Sequence, residues 1–276
     1  MYSKQDRLKE LIRSYGKVAI AYSSGVDSTY LLKIAYDELR DNCVAITASS
    51  GSFPKRELEE SCDFTKDNGI KHIVVTTNEL EIEGFRDNPP NRCYLCKKAI
   101  FQNIINAADE CGIGIVAEAS NIDDNGDYRP GMIAIDELGV KSPLREVGLT
   151  KAEIRALSKD LGLYTWQKPA YACLATRFAY GEEITDSKLQ MVDKAEQLLM
   201  DMGLGQLRVR IHDNIARIEA LPEDFDKIMN GDTRERIYSS FQEFGFKYVA
   251  LDLRGYRMGS MNETLDSEIL RKGRRC

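Results

Sequence analysis

Histidine is scarce in this chain: among 276 residues there are two, His72 and His212. A structural zinc normally takes four Cys or His ligands, so imidazole-rich metal sites have almost nothing to be built from. Long apolar runs are missing as well. No stretch approaches the roughly 18 consecutive apolar residues of a membrane span, and Met1-Tyr2-Ser3-Lys4 has no apolar signal core, which leads us to expect a cytoplasmic protein without membrane contact. Nor is there an excess of base. Thirty-eight Lys and Arg stand against 44 Asp and Glu, for a net charge of -6, and only Arg271 to Arg275 form a basic run, so nucleic acid is not an expected partner. Internal repeats and low-complexity segments are also lacking. The seven cysteines are an odd number without an export signal, which argues against a disulfide framework and for thiols, metal ligands or redox chemistry.

What is present begins at Val18-Ala19-Ile20-Ala21-Tyr22, a short apolar strand that runs into the small-residue turn Ser23-Ser24-Gly25-Val26-Asp27-Ser28. A helical pattern, Leu31, Leu32, Ala35 and Leu39, follows at once. Backbone N–H groups of such a turn point outward, the helix dipole favours anions, and Ser23, Ser24 and Ser28 add hydroxyl donors, so the segment is suited to the oxygens of a triphosphate. Asp27 is placed to hold Mg2+ on those oxygens. The Lys and the spacing of G-x-x-x-x-G-K-[ST] are absent, so this is not a Walker loop.

Strand-like runs recur at Cys43 to Ala48, His72 to Thr76 and Ile113 to Ala117, with amphipathic helices between them. The alternation predicts an α/β fold with a parallel, doubly wound sheet and ligands at the carboxyl ends of its strands. Thr150-Lys151-Ala152-Glu153 has capping-box spacing and predicts a helix to Leu161. Beyond about residue 180 the pattern changes. A helix over about Ser187 to Met202, a hairpin of Leu207–Ile211 with Ala216–Glu219, a helix from Pro222 to Phe244 and a strand from Tyr248 to Leu253 predict a small α+β domain. The chain is therefore read as two domains, residues 1–180 for nucleotide and 181–276 for substrate and oligomerisation.

Asn91-Arg92-Cys93-Tyr94-Leu95-Cys96-Lys97-Lys98 follows Pro89-Pro90 and opens a helix. Two thiols three residues apart near a helix start share one side, and a helix N-terminus favours thiolates, which bind metals. Cys173, in Pro169-Ala170-Tyr171-Ala172-Cys173-Leu174-Ala175-Thr176-Arg177-Phe178, is a third candidate. Three thiolates can hold three irons of a [4Fe-4S] cluster and leave the fourth open. Zinc and a metal-free catalytic or redox thiol set are the alternatives. Cys43, Cys62 and Cys111 fall in core patterns and read as buried small hydrophobes, and terminal Cys276 reads as idle. In the second domain Arg208 and Arg210 project from one face of a strand, and Arg177, Arg257 and Lys97 are available to join them around a phosphate or carboxylate substrate. Glu196 and Glu219 read as either their salt-bridge partners or metal ligands. The polar run Ser120 to Gly131, with Asp127 and Arg129, lies at a strand end where a ligand belongs.

The turn resembles the SGGxDS loop of the PP-loop ATP pyrophosphatases, with Ser24 where that family usually has Gly. Together with Pro89-Pro90-Asn91-Arg92-Cys93-Tyr94-Leu95-Cys96-Lys97, Asp127-Tyr128-Arg129-Pro130-Gly131, Ala172-Cys173-Leu174-Ala175-Thr176-Arg177-Phe178 and Arg208-Val209-Arg210, it is similar to the LarE family of ATP-dependent sulfur transferases over nearly the whole chain. The resemblance implies cleavage of ATP between its α and β phosphates and adenylation of a pyridinium dicarboxylate mononucleotide. AMP is then replaced by sulfur from a sulfur donor to leave a thiocarboxylate, a step in making the nickel-pincer nucleotide cofactor. It implies adenine near Ser49 and Ser142-Pro143-Leu144 with Lys151 approaching the ATP phosphates. It assigns catalytic roles to Asp27, Lys97, Cys173 and Arg177, a phosphorylated carboxylate to Arg208, Arg210, Arg257, Asp127 and Arg129, and a homo-oligomer. Some members of the family sacrifice a Cys sulfur, whereas others carry a Cys-x-x-Cys, a third Cys and a [4Fe-4S] cluster; the spacing here is the second pattern, and because Cys173 lies in the segment that holds the donor of the sacrificial form, both sulfur sources stay open. Two other readings compete: a PP-loop tRNA thiolase, which needs a basic RNA surface, and a nucleotide-binding Fe-S protein without turnover.

Overall fold

A computed structural model of the chain describes residues 1–124, 130–169, 173–257 and 259–260. It divides into two compact units: one takes in residues 1–79 and 93–170, the other residues 80–92 and 171–266. Asp127, Arg129 and Cys276 lie outside the described residues.

The first unit runs α1 (Tyr2–Tyr15), β1 (Val18–Ala21), α2 (Val26–Leu39), β2 (Cys43–Ser49), α3 (Lys55–Asp67), β3 (Lys71–Thr76), α4 (Arg92–Glu110), β4 (Val116–Ala117), α5 (Gly131–Glu137), α6 (Pro143–Glu146) and α7 (Lys151–Asp160). The four strands are all parallel, in the order β3-β2-β1-β4. Strand alternation assigns each face its own core. Val18 and Ile20 of β1, with Cys43 and Ala45 of β2, pack with Leu8 and Ile12 of α1, Tyr30 and Leu31 of α2, and Ile154 and Leu157 of α7. Ala19, Val44 and Ile46 point the other way, onto Phe101 and Ile104 of α4 and Met132 and Ile135 of α5. Helices thus cover both faces, as the near-continuous apolar strands require. Because β2 lies on one side of β1 and β4 on the other, the strand order reverses at β1, and a crevice at its carboxyl end is where ligands bind in such sheets.

Helix α7 starts with the expected capping box: the Glu153 amide donates to Thr150 Oγ1 at 3.2 Å and the Thr150 amide to Glu153 Oε2 at 2.9 Å. Lys4 Nζ reaches Glu153 Oε2 at 2.7 Å, and the Lys4 bond, followed by that from Thr150, pulls the Glu153 carboxyl down to about 2 from its ordinary 4.5. A depressed folded-state pKa stabilises the fold fully above about pH 4.5 and progressively less as pH falls toward 2. Glu153→Gln is therefore expected to cost about 1 kcal/mol at pH 7, discounted for partial exposure. Urea unfolding at a series of pH values should show the difference from the parent shrinking below pH 4.5.

In the second unit, α8 (Asp186–Asp201), β5 (Leu207–His212), β6 (Ile215–Ala220), α9 (Phe225–Met229), α10 (Gly231–Phe244) and β7 (Tyr248–Leu251) form a three-stranded sheet, β5-β6-β7, with helices. The hairpin pairs antiparallel through Asp213, at φ 51°, and β7 joins parallel to β6. The helix expected from Pro222 to Phe244 is instead two, broken at Asn230, whose extended backbone (ψ 137°) cannot continue a helix. Among the described residues, no helix is long and apolar enough to cross a membrane.

Candidate active site

The turn after β1 is built from its own hydroxyls. Ser23 Oγ and Ser28 Oγ lie 3.1 Å apart, and the Ser23 amide donates to Ser28 Oγ at 3.3 Å. Thr47 Oγ1 of the neighbouring strand donates to the Tyr22 carbonyl at 2.8 Å and fixes the strand end. Gly25 is the N-cap of α2, and a Cβ there would lie 3.6 Å and 3.9 Å from the Ser23 and Ser28 hydroxyls. Ser24 is fully buried with φ 53°, the left-handed region in which a side chain costs about 1 kcal/mol relative to glycine. Its neighbours offset that cost: Ser24 Oγ donates to Glu57 Oε2 at 2.8 Å, and Lys168 Nζ donates to the Ser24 carbonyl at 3.1 Å.

Asp27 stands in the first turn of α2, and Lys151, the first residue of α7, meets its Oδ2 at 2.5 Å. The other oxygen, Oδ1, is buried and has no hydrogen-bond partner. Burial pushes the Asp27 carboxyl up, Lys151 opposes the shift, and Asp124 adds to it. A desolvated carboxylate with one oxygen held by an ammonium and the other orphaned fits a hard divalent cation. The Lys151 amide donates to Asp123 Oδ2 at 2.8 Å, which draws the start of the polar run after β4 to the same place. Behind it Glu118 accepts from the Ser120 amide at 3.0 Å and from the hydroxyls of Ser120 and Ser142, so the Ser142-Pro143-Leu144 segment is anchored to the end of β4. Ser49, at the end of β2, leads into a loop held by Glu79, which accepts from Ser50 Oγ at 2.5 Å and from the Ser52 amide at 3.3 Å.

Cys93 and Cys96 lie in the first turns of α4, both partly exposed. The Lys97 side chain crosses the start of α5, where a Cβ on Gly131 would meet its Cδ at 2.6 Å and the Cys93 carbonyl at 3.2 Å. Glycine at 131 is thus what lets the cysteine-bearing turn sit against α5. Among the described residues no group of three or more His, Cys, Asp or Glu is placed to hold a metal ion. Cys43 is buried, and burial pushes its thiol up to about 12, but the expectation of burial fails for Cys62, exposed on α3, and Cys111, partly exposed past the end of α4. Cys62 lies on the solvent side of α3, and Cys111 packs only partly against the core from the turn after α4, distinctions a lone apolar residue in a short pattern does not reveal.

In the second unit Cys173 is exposed and heads a short turn that ends at Arg177. Arg177 and Glu196 are both fully buried and joined by two bonds of 2.8 Å, and the remaining Arg177 nitrogen donates to Thr176 Oγ1 at 2.8 Å and the Cys173 carbonyl at 3.2 Å. Arg210 is paired with Glu219 at 2.9 Å and Arg257 lies 3.6 Å from Asp252. Glu196 and Glu219 are therefore salt-bridge partners of buried arginines. Arg208 shares a face of β5 with Arg210, lies over the Tyr256 ring and donates to the Leu207 carbonyl. Burial, followed by the charge of Arg177, brings its guanidinium down to about 10. Sequence reasoning missed Glu57, Lys168 and Glu79; the one signal that pointed at the first two was a Ser at a glycine position, which needs partners if it is to hold positive φ.

No family model matches the chain. It is 44% identical over 263 residues to an uncharacterized protein of Synechocystis, covering 95% of this chain and 98% of the relative. It is 36% identical over 268 residues to the pyridinium-3,5-bisthiocarboxylic acid mononucleotide synthase of Lactiplantibacillus plantarum, covering 95% of each. To an uncharacterized protein of Methanocaldococcus jannaschii it is 31% identical over 257 residues, covering 92% of this chain and 95% of the relative.

Proposed function

Since the chain belongs to the LarE family, that of the L. plantarum pyridinium-3,5-bisthiocarboxylic acid mononucleotide synthase, we propose that it is an ATP-dependent sulfur transferase making a pyridinium thiocarboxylate mononucleotide for nickel-pincer nucleotide synthesis. The observation that carries the reading is the turn after β1. It joins a helix start, two serine hydroxyls and the orphaned Asp27 oxygen at the reversal point of the sheet.

A carboxylate is a poor electrophile. Attack of its oxygen on the α-phosphorus of ATP breaks the bond to the bridging oxygen, releases pyrophosphate and leaves a mixed anhydride with AMP; a sulfur nucleophile then adds to the carbonyl and expels AMP. Ser23, Ser24, Gly25 and Ser28 bind the phosphates, Asp27 holds Mg2+ there, Lys151 neutralises charge beside it, and Ser49 borders the adenine. Bound Mg2+ supplies charge neutralisation on the leaving pyrophosphate. Arg208, Arg210 and Arg257, all in the second unit, take the acceptor's phosphate and carboxylates. Arg208 is the strongest candidate among them, because a buried guanidinium weakened by a neighbouring one is stabilised by an incoming anion. Arg208→Ala is expected to weaken binding of the phosphorylated acceptor about 10- to 100-fold and to leave the ATP affinity in place, as two separate calorimetric titrations would read.

Cys93, Cys96 and Cys173 handle the sulfur, with Lys97 beside the pair and Arg177 holding the turn of the third. Three such thiolates would hold three irons of a [4Fe-4S] cluster, which would present the transferable sulfur at its fourth iron; if a cysteine thiolate is itself the nucleophile, its thioester yields the thiocarboxylate by loss of the cysteine α-proton and cleavage of the Cβ–S bond, which leaves dehydroalanine. The [4Fe-4S] version of the site is tested directly: anaerobic reconstitution that gives about four irons per chain, lost on Ser substitution at any of the three positions, establishes it. The whole proposal is tested by incubating the protein with ATP, Mg2+, a sulfur source and the pyridinium dicarboxylate mononucleotide. Acceptor-dependent pyrophosphate and a product with sulfur in place of oxygen by mass spectrometry are expected; pyrophosphate without thiocarboxylate would overturn it.

A further inference from the structure

The phosphate turn holds a buried serine at positive φ where a glycine would be unstrained, and two residues with no assigned role close around it. Glu57, buried at the start of α3, accepts from Ser24 Oγ at 2.8 Å and from Lys168 Nζ at 2.8 Å through the same oxygen. Lys168 also donates to the Ser24 carbonyl at 3.1 Å and pairs with Glu60. The lysine is itself held: Arg155 of α7 donates to the carbonyls of Trp166 at 2.6 Å and Lys168 at 2.8 Å, so its backbone is pinned to the helix whose first residue, Lys151, pairs with Asp27. The side chain and the carbonyl of Ser24 are thus both engaged, and by two partners that also bind each other. Rotation of Ser24 out of the left-handed region would break the Ser24 bonds together.

We propose that Glu57 and Lys168 are positioning residues for nucleotide binding, which hold Ser24 in the conformation that aims the amides of the turn at the phosphates. The proposal rests on the reading of the turn as an ATP site. It assigns the pair no contact with ATP; they act through Ser24 alone. The consequence is specific to serine at this position, because glycine reaches the same φ unaided.

The test is a double-mutant cycle on the full-length protein, read as the ATP dissociation constant by calorimetry and as KM for ATP in pyrophosphate release. Lys168→Met and Glu57→Gln, the second of which keeps the shape of the side chain, are each made in the parent and in Ser24→Gly. In the parent each is expected to raise both constants about tenfold, the effect of one charge-assisted hydrogen bond, with kcat changed less than KM. In the Ser24→Gly background the same changes are expected to raise them less than about twofold. An equal loss in both backgrounds would mean that Lys168 touches the nucleotide itself and would overturn the positioning role. So would an unchanged ATP affinity in both single variants. Failure of the parent protein to bind ATP would instead overturn the nucleotide reading, and the positioning role with it. Melting curves of all six proteins separate loss of binding from loss of fold.

Discussion

Asp27→Ala is expected to lower pyrophosphate release by about 10³-fold or more while the protein melts no earlier than the parent. The activity loss follows from the geometry: one carboxylate oxygen is held by Lys151 at 2.5 Å and the other is buried without a partner, so the variant removes the group that would bind Mg2+. The stability expectation follows from the direction of the pKa. Burial holds the Asp27 carboxyl above its ordinary 3.8, so the folded state binds its proton more tightly than the unfolded chain does. Above that range the ionised carboxylate opposes folding, and removing it relieves desolvation against the loss of one partly exposed ion pair. A residue that costs stability where it stands is kept for function. Pyrophosphate release at the parental rate would sink the assignment of the turn, whereas lost activity with a large drop in melting temperature would make Asp27 a structural residue. Asp27→Asn, which retains one ligand oxygen without the charge, is expected to fall between the two.

The parts of this site that could be read from sequence are those set by local physics. A strand, a small-residue turn and a helix start are contiguous, so the cradle at residues 22–28 was legible, as were the capping box at Thr150 and the pair of thiols opening α4. The four parallel strands followed from apolar runs separated by amphipathic helices, because the central strands β1 and β2 are covered on both faces and are almost wholly apolar. What escaped is long-range. Glu57 and Lys168 are 33 and 144 residues from Ser24, and nothing about an acidic residue early in a helix or a lysine before Pro169 singles either out. The excursion of residues 80–92 into the second unit escaped for the same reason: Asn88 donates to the carbonyls of Phe178 at 3.3 Å and Ala179 at 2.6 Å, and no periodicity encodes such a bond. The break at Asn230 had a local signal that was passed over: Asn230-Gly231 is a turn dipeptide, followed by the weak helix formers Asp232 and Thr233.

Glu196→Leu is expected to destabilise the protein by about 3–5 kcal/mol, the largest stability effect of any single change considered, because it leaves the Arg177 guanidinium charged in a site with no exposure to water. It also strips the Val209 amide of its 2.9 Å acceptor, which is the same carboxylate oxygen. The double variant Arg177→Met with Glu196→Leu removes both charges together, and buried ion pairs exchanged for apolar residues of similar volume are often neutral in stability, so most of the lost free energy is expected to return. What does not return is the acceptor of the Val209 amide and, at the Cys173 turn, the bonds from Arg177 to the Cys173 carbonyl and Thr176 Oγ1. If the pair serves only the core, the double variant will transfer sulfur as the parent does. If it also positions the Cys173 turn, pyrophosphate release will be close to parental while formation of thiocarboxylate falls about tenfold, the scale of one charge-assisted hydrogen bond. Urea unfolding of the two variants and the parent, read beside the two product assays, separates the structural role of Arg177 from its part in sulfur transfer: restored stability with restored transfer refutes the second role, and restored stability with transfer still missing supports it.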